Sequence, residues 1–210
     1  MKNNLLPIAK EGWGYITYTF LFLVFSIIFS LEIFTFLSLC LLIFLGYTFR
    51  NPERELLMTG DKSVLSPVDG NVISIEELDD SEYFYKLTIQ STLKDVSLLR
   101  TPINAITVSQ NKYNGTCLRL GNPLAKKLNE RATLVFEDTY ANKVKIVHIT
   151  AESFCGIETD NLKHNEQRQS SRYGVMVNGV SEVYLPKNFR LNISVADELK
   201  ASQHLLGYFS

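Results

Sequence analysis

Two uncharged apolar runs near the N-terminus restrict this chain more than any other feature. GYITYTFLFLVFSIIFS extends from Gly14 to Ser30 and IFTFLSLCLLIFLGYTF from Ile33 to Phe49, with only Leu31 and Glu32 between them. Each is about 17 residues, the short end of what crosses a bilayer as a helix. Phenylalanine and leucine fall on all sides of either helix, whereas a buried helical pair in a soluble protein would keep a polar face. A secretory signal fits poorly, because the apolar region is long and interrupted and no small-residue cleavage site follows. Glu32 belongs at a hairpin tip, since a carboxylate is costly at the bilayer centre. The runs predict a helical hairpin, either fully spanning or re-entrant. Lys2 and Lys10 precede it and Arg50 and Arg54 follow it, so the positive-inside rule places both ends in the cytoplasm. Trp13, Tyr15, Tyr18 and Tyr47 suit the membrane interface.

The domain boundary falls at the end of the second run, giving a membrane hairpin over residues 1–49 and a separate domain over 50–210. The link NPERELLMTGD is short and predicts a domain held close to the membrane. From Asp61 onward, short strands dominate. SVLSPVDGNVISIEEL carries a Pro-x-Asp-Gly turn between apolar stretches, and ATLVFED and KVKIVHIT flank a hairpin turn. YFYKLTIQS alternates in part, and FRLNISVA reads as a further strand. SRYGVMVNGVSEVYLP reads as two strands around a turn. LAKKLNER is the best short helix, and the tail ELKASQHLLGYF fits either helix or strand. The expected fold is a mainly β sandwich or barrel.

Formal net charge is -1, which gives no electrostatic case for nucleic acid. Cys40, Cys117 and Cys155 form no CxxC pair and are expected to be free buried thiols. His148, His164 and His204 lack metal-ligand spacing, so no metal is expected, and no motif for a separately bound cofactor is present.

Several segments in order resemble the short form of phosphatidylserine decarboxylase: IAKEGWGYI, FRNPERE, SPVDGNV, DVSLLRTP, YNG, NER, RYGVMVNG and VYLP. The resemblance implies a membrane-associated carboxy-lyase that converts phosphatidylserine to phosphatidylethanolamine, sits in a bacterial inner membrane and self-associates. It also implies a pyruvoyl group made by self-cleavage at the serine of a Gly-Ser pair. A serine hydroxyl needs a base for that attack, and a histidine held by an aspartate can supply one.

Against that pattern, Asp69 stands at the aspartate position, although Pro-x-Asp-Gly is also a plain turn. Ser97 replaces the histidine, and His148 is the one strand histidine that could substitute. Aligning the glycines puts Val180 at the serine position, and aligning VYLP puts Gly179 there behind Asn178. A third register cuts Val180–Ser181, where a stiff β-branched residue opposes the strained acyl shift. TAESFCGI stands where the family carries an Ala-Gly step and two arginines. Arg100, Arg131 and Arg172, with Lys126 and Lys127, remain as candidate lipid-headgroup contacts. Fold-maintaining ion pairs explain Arg100 and Arg131 equally well.

The resulting reading is a membrane-anchored homologue that forms no pyruvoyl group. Its role would be to bind membrane phospholipid, phosphatidylserine among the candidates, or to scaffold another copy or an active family enzyme. The alternatives are a divergent decarboxylase with Ser181 as pyruvoyl precursor and Asp69 as helper, and a structural membrane protein that binds no headgroup.

Overall fold

The computed structural model describes residues 6–54, 60, 62–79 and 82–210. Lys2 and most of the predicted link (55–59 and 61) lie outside the described residues. The chain divides into two compact units between Glu53 and Arg54.

The first unit is a helical hairpin. A short 3-10 turn, Lys10–Gly12, leads into α1 (Trp13–Ile28), and α2 (Glu32–Thr48) returns. Ser30 turns the chain with a φ of 53°. Ile28, Ile33 and Phe36 are more than two-thirds exposed, as expected of a surface made for lipid rather than water. Lys10–Ile28 is long and apolar enough to cross a membrane, whereas Glu32–Thr48 is a shorter apolar helix. The hairpin is zipped at its open end. Ala9 N donates to Phe49 O at 2.8 Å, Asn51 N donates to Pro7 O at 2.8 Å, and Tyr15 stacks on Phe49 at 5.6 Å. The two ends therefore leave from the same side.

The second unit is almost wholly antiparallel β. Its strands are β1 (Ser63–Leu65), β2 (Gly70–Glu77), β3 (Tyr85–Ser91), β4 (Leu98–Arg100), β5 (Ala105–Tyr113), β6 (Arg131–Glu137) and β7 (Lys143–Thr150). They continue as β8 (Glu158–Thr159), β9 (Glu166–Gln167), β10 (Arg172–Val175), β11 (Gly179–Leu185), β12 (Phe189–Leu191), β13 (Glu198–Leu199) and β14 (Leu205–Phe209). One helical turn, α3 (Ala125–Leu128), precedes β6. The large sheet runs β13-β2-β3-β11-β7-β6-β5-β9, and two three-stranded sheets, β1-β14-β12 and β4-β10-β8, accompany it.

Alternation drives the packing. Along β6, Ala132, Leu134 and Phe136 face inward; along β7, Val144, Ile146 and His148 do the same. The apolar ones meet Leu87, Ile89, Val183 and Leu185 in a single core. The β6–β7 turn is organised by Asp138, whose carboxylate accepts from Tyr140 N at 2.7 Å and from Asn142 N and Nδ2, each at 2.8 Å.

Three readings are refined. SRYGVMVNGVSEVYLP holds the two expected strands around a turn, but they do not pair with each other: β10 joins β4 and β8, whereas β11 joins β3 and β7 in the large sheet. The ambiguous tail is two strands, because both edges of β14 are paired, with β1 and β12. Of the cysteines, only Cys155 is buried; Cys40 is exposed and Cys117 half-buried, and all three are free.

Asp138→Ala removes the acceptors that shape the β6–β7 turn. It is expected to lower stability by about 1–2 kcal/mol, read as a shift in the urea midpoint without a change in slope.

Candidate functional site

The Pro67-Val68-Asp69-Gly70 turn delivers Asp69 to the start of β2 in a buried setting. Its carboxylate does not bond its own backbone. Arg54 grips it with both terminal nitrogens, Nη1 to Oδ1 at 2.5 Å and Nη2 to Oδ2 at 2.6 Å. Ala201 N donates to Oδ1 at 2.8 Å, and Arg54 Nη1 returns a bond to Ala201 O at 2.8 Å. The pair is buried on both sides, at 8% and 9% side-chain exposure. A bidentate, charge-assisted pair of this kind fixes orientation as well as charge. Arg54, read in the sequence as one of the basic residues that follow the apolar segment, is thus the partner of Asp69.

Backbone pairing carries the site across the sheet from Asp69. Ser91 Oγ donates to Asp69 O at 2.5 Å, and Ser91 stands opposite Gly179, which stands opposite Thr150. Ser97 joins from the other side, its carbonyl accepting from Met176 N at 2.8 Å, while Arg100 N donates to Pro67 O at 2.9 Å. Asp69, Ser97 and the Met176–Gly179 corner are thus drawn into one region. Within it, Asn178 O accepts from Ala151 N at 3.0 Å and Thr150 Oγ1 at 3.4 Å. Gly179 has no room for a side chain: a Cβ there would collide with the Ile149 carbonyl and lie 2.9 Å from Met176 Sδ.

Ser181 lies one inward step further along β11. Its hydroxyl is 2.7 Å from His148 Nδ1, and His148 Nε2 is 2.6 Å from the Tyr173 hydroxyl. All three are fully buried. Burial lowers the His148 pKa to about 3, so the ring is neutral at ordinary pH. Burial also drives the Tyr173 phenol upward. A neutral ring offers one donor and one acceptor. Either Ser181 donates to Nδ1 and Nε2–H donates to Tyr173, or the direction is reversed; only the first arrangement lets His148 draw on the serine proton. Tyr173 was missed in the sequence, where inward alternation in RYG is its only signal. The Ser181 peptide sits mid-strand, with Ser181 opposite both Ile89 and His148.

The arginines do not converge. Arg100 and Arg172 are cross-strand neighbours on β4 and β10, and Arg100 is buried, with Nη1 3.4 Å from Ser170 O. Arg131 is on β6, where Nη2 donates to the carbonyls of Lys126 (2.8 Å) and Lys127 (2.7 Å) at the end of α3. Its neighbours in the NER segment are structural. Asn129 ties Leu118 to Thr150, and Glu130 pairs with Lys112 at 2.9 Å.

Fold and site together define a mainly β domain in which the Met176–Gly179 corner leads from one sheet into another, preceded in the sequence by an apolar helical hairpin. The model of the family described as phosphatidylserine decarboxylase matches residues 41–207, and the chain belongs to that family. Similar curated proteins are named phosphatidylserine decarboxylase proenzyme. The one from Geotalea uraniireducens is 28% identical, covering 99% of each chain. The one from Syntrophotalea carbinolica is 26% identical with the same coverage. The one from Ehrlichia chaffeensis is 28% identical over 99% of this chain and 94% of its own. No solved structure matches.

The depressed His148 pKa sets a direction for stability against pH. The unfolded chain takes up a proton near 6.5, but the folded ring does not until about 3. Falling pH therefore costs stability across that window, at up to about 1.4 kcal/mol per pH unit. In urea titrations between pH 7 and 4, His148→Gln is expected to show a shallower loss than wild type. Parallel slopes would contradict the buried neutral ring.

Proposed function

We propose that this family member does not make a pyruvoyl group, and that it acts at the membrane as a phospholipid-binding or partner-scaffolding protein. The observation that carries this reading is Gly179, which aligns with the processing serine when VYLP is matched and stands where even a methyl group meets the Ile149 carbonyl. Two further features support it. Ser97 at the histidine position has no group able to take a proton near neutral pH. Asp69, the aspartate meant to orient such a histidine, is held instead by Arg54 and Ala201. The hairpin would anchor the chain in a bacterial inner membrane. Its joined ends and the basic Lys10 and Arg50 favour the cytoplasmic face for the β domain.

One observation favours a second reading, an active decarboxylase that cuts before Ser181. The His148 contact of 2.7 Å is the hydrogen bond a general base would need. Against it, Ser181 is fully buried, and the peptide that would have to strain for an acyl shift runs through paired strand on both sides.

Expression of the full chain and intact-mass measurement separate the two. The proposal expects one uncleaved species near 23.9 kDa, and likewise a single uncleaved species for Ser181→Ala. A pyruvoyl-capped fragment ending at Ser210, lost in Ser181→Ala, would establish the second reading instead.

A further inference from the structure

The outward face of the large sheet carries a groove that plays no part in the processing corner. By strand alternation, Lys145 on β7, Arg131 on β6, and Glu182 and Tyr184 on β11 point to the face opposite Ser181 and His148. The turn of α3 overhangs them with Lys126 and Lys127, enclosing about 640 Å³.

The balance of charge in this groove is one-sided. None of Lys126, Lys127, Arg131 and Lys145 pairs with a carboxylate among the described residues. The acid lining the groove, Glu182, is already engaged: Lys86 Nζ lies 3.2 Å from Oε1, and Tyr184 OH donates to Oε2 at 2.9 Å. Lys145 rests against the ring of Tyr184, 5.0 Å from its centroid, which positions the ammonium without neutralising it. Arg131 spends Nη2 on the α3 carbonyls, and this anchors the guanidinium plane while its remaining N–H edge stays available. An ordinary solvated face would intersperse both signs, as the rest of this chain does at a net charge of -1. Unneutralised cations around a concave wall focus a positive potential into it.

We propose that this groove is a phosphate-binding site, with Arg131 supplying planar N–H donors and Lys126, Lys127 and Lys145 the surrounding charge. The ligand is a phosphomonoester or phosphodiester oxyanion. Its source is either an anionic lipid headgroup or a free phosphate, and only the lipid source rests on the phospholipid-binding reading above. The site stands on the far side of the sheet from Gly179, so it serves the chain whether or not the processing corner works.

The test uses the full-length chain in a neutral maltoside detergent. Melting temperature is followed against inorganic phosphate in one arm and against monomeric short-chain phosphatidylglycerol in the other. The comparison variant is Lys126→Gln/Lys127→Gln/Lys145→Gln, which removes three charges and no structural hydrogen bond seen among the described residues. Arg131 is kept because it caps α3. The expected result is a saturable rise in melting temperature in at least one arm, with the dissociation constant weakened at least about tenfold in the triple variant. The arm that responds names the source of the oxyanion. No rise in either arm, or the same affinity in the triple variant, overturns the proposal. Intact mass is read on the same samples: a cleaved chain would contradict the preceding reading and leave the groove's result standing.

Discussion

Strand β11 is the constraint on which the β domain depends. It is paired along its length with β3 on one side and β7 on the other, in unbroken register from Gly179 to Tyr184. A one-residue slip would turn Val183 and Leu185 out of the core and bring Glu182 and Tyr184 into it. This register puts Ser181 against His148 on the inner face and Lys145 near Tyr184 on the outer. It also seats Gly179 against the Ile149 carbonyl, where any side chain would force the strands apart. The chemistry available to the chain follows from where this strand begins.

A second tie fixes the neighbouring edge. Arg54 and Asp69 form a buried, bidentate pair that also holds Ala201 through both its N–H and its carbonyl. Removing either partner would leave a buried charge uncompensated, a loss of about 3–5 kcal/mol in comparable sites. A carboxylate committed in this way maintains the fold.

Much of this was legible in the sequence, for identifiable reasons. The hairpin announces itself because about 17 uncharged residues, twice over, have few soluble solutions. β6 and β7 are readable because their alternation is clean and Asp138 marks the turn. β5 was missed because its C-terminal half, SQNKY, is polar and resembles a loop, and the inward residues of its first half, Ala105 and Thr107, are too small to signal a core strand. The corner between β10 and β11 looks like a hairpin because the chain is short there. Which sheet each strand joins is decided by partners that the registers place between about 15 and about 100 residues away. The site divides in the same manner. The turn motif exposes Asp69, but its partner Arg54 sits among residues that look like membrane flank. Tyr173 and Lys145 become visible only once β10 and β7 are placed.

From Gly179 to Ser181 the chain is paired strand on both sides, a closed part of the sheet rather than a bond held ready for cleavage. Residue-resolved amide hydrogen exchange on the full chain tests this most directly. The Val180 and Ser181 amides are expected to exchange only through global unfolding, with protection equal to that of Ile146 and Leu134. Exchange at Val180 and Ser181 through local opening, while Ile146 stays protected, would contradict it.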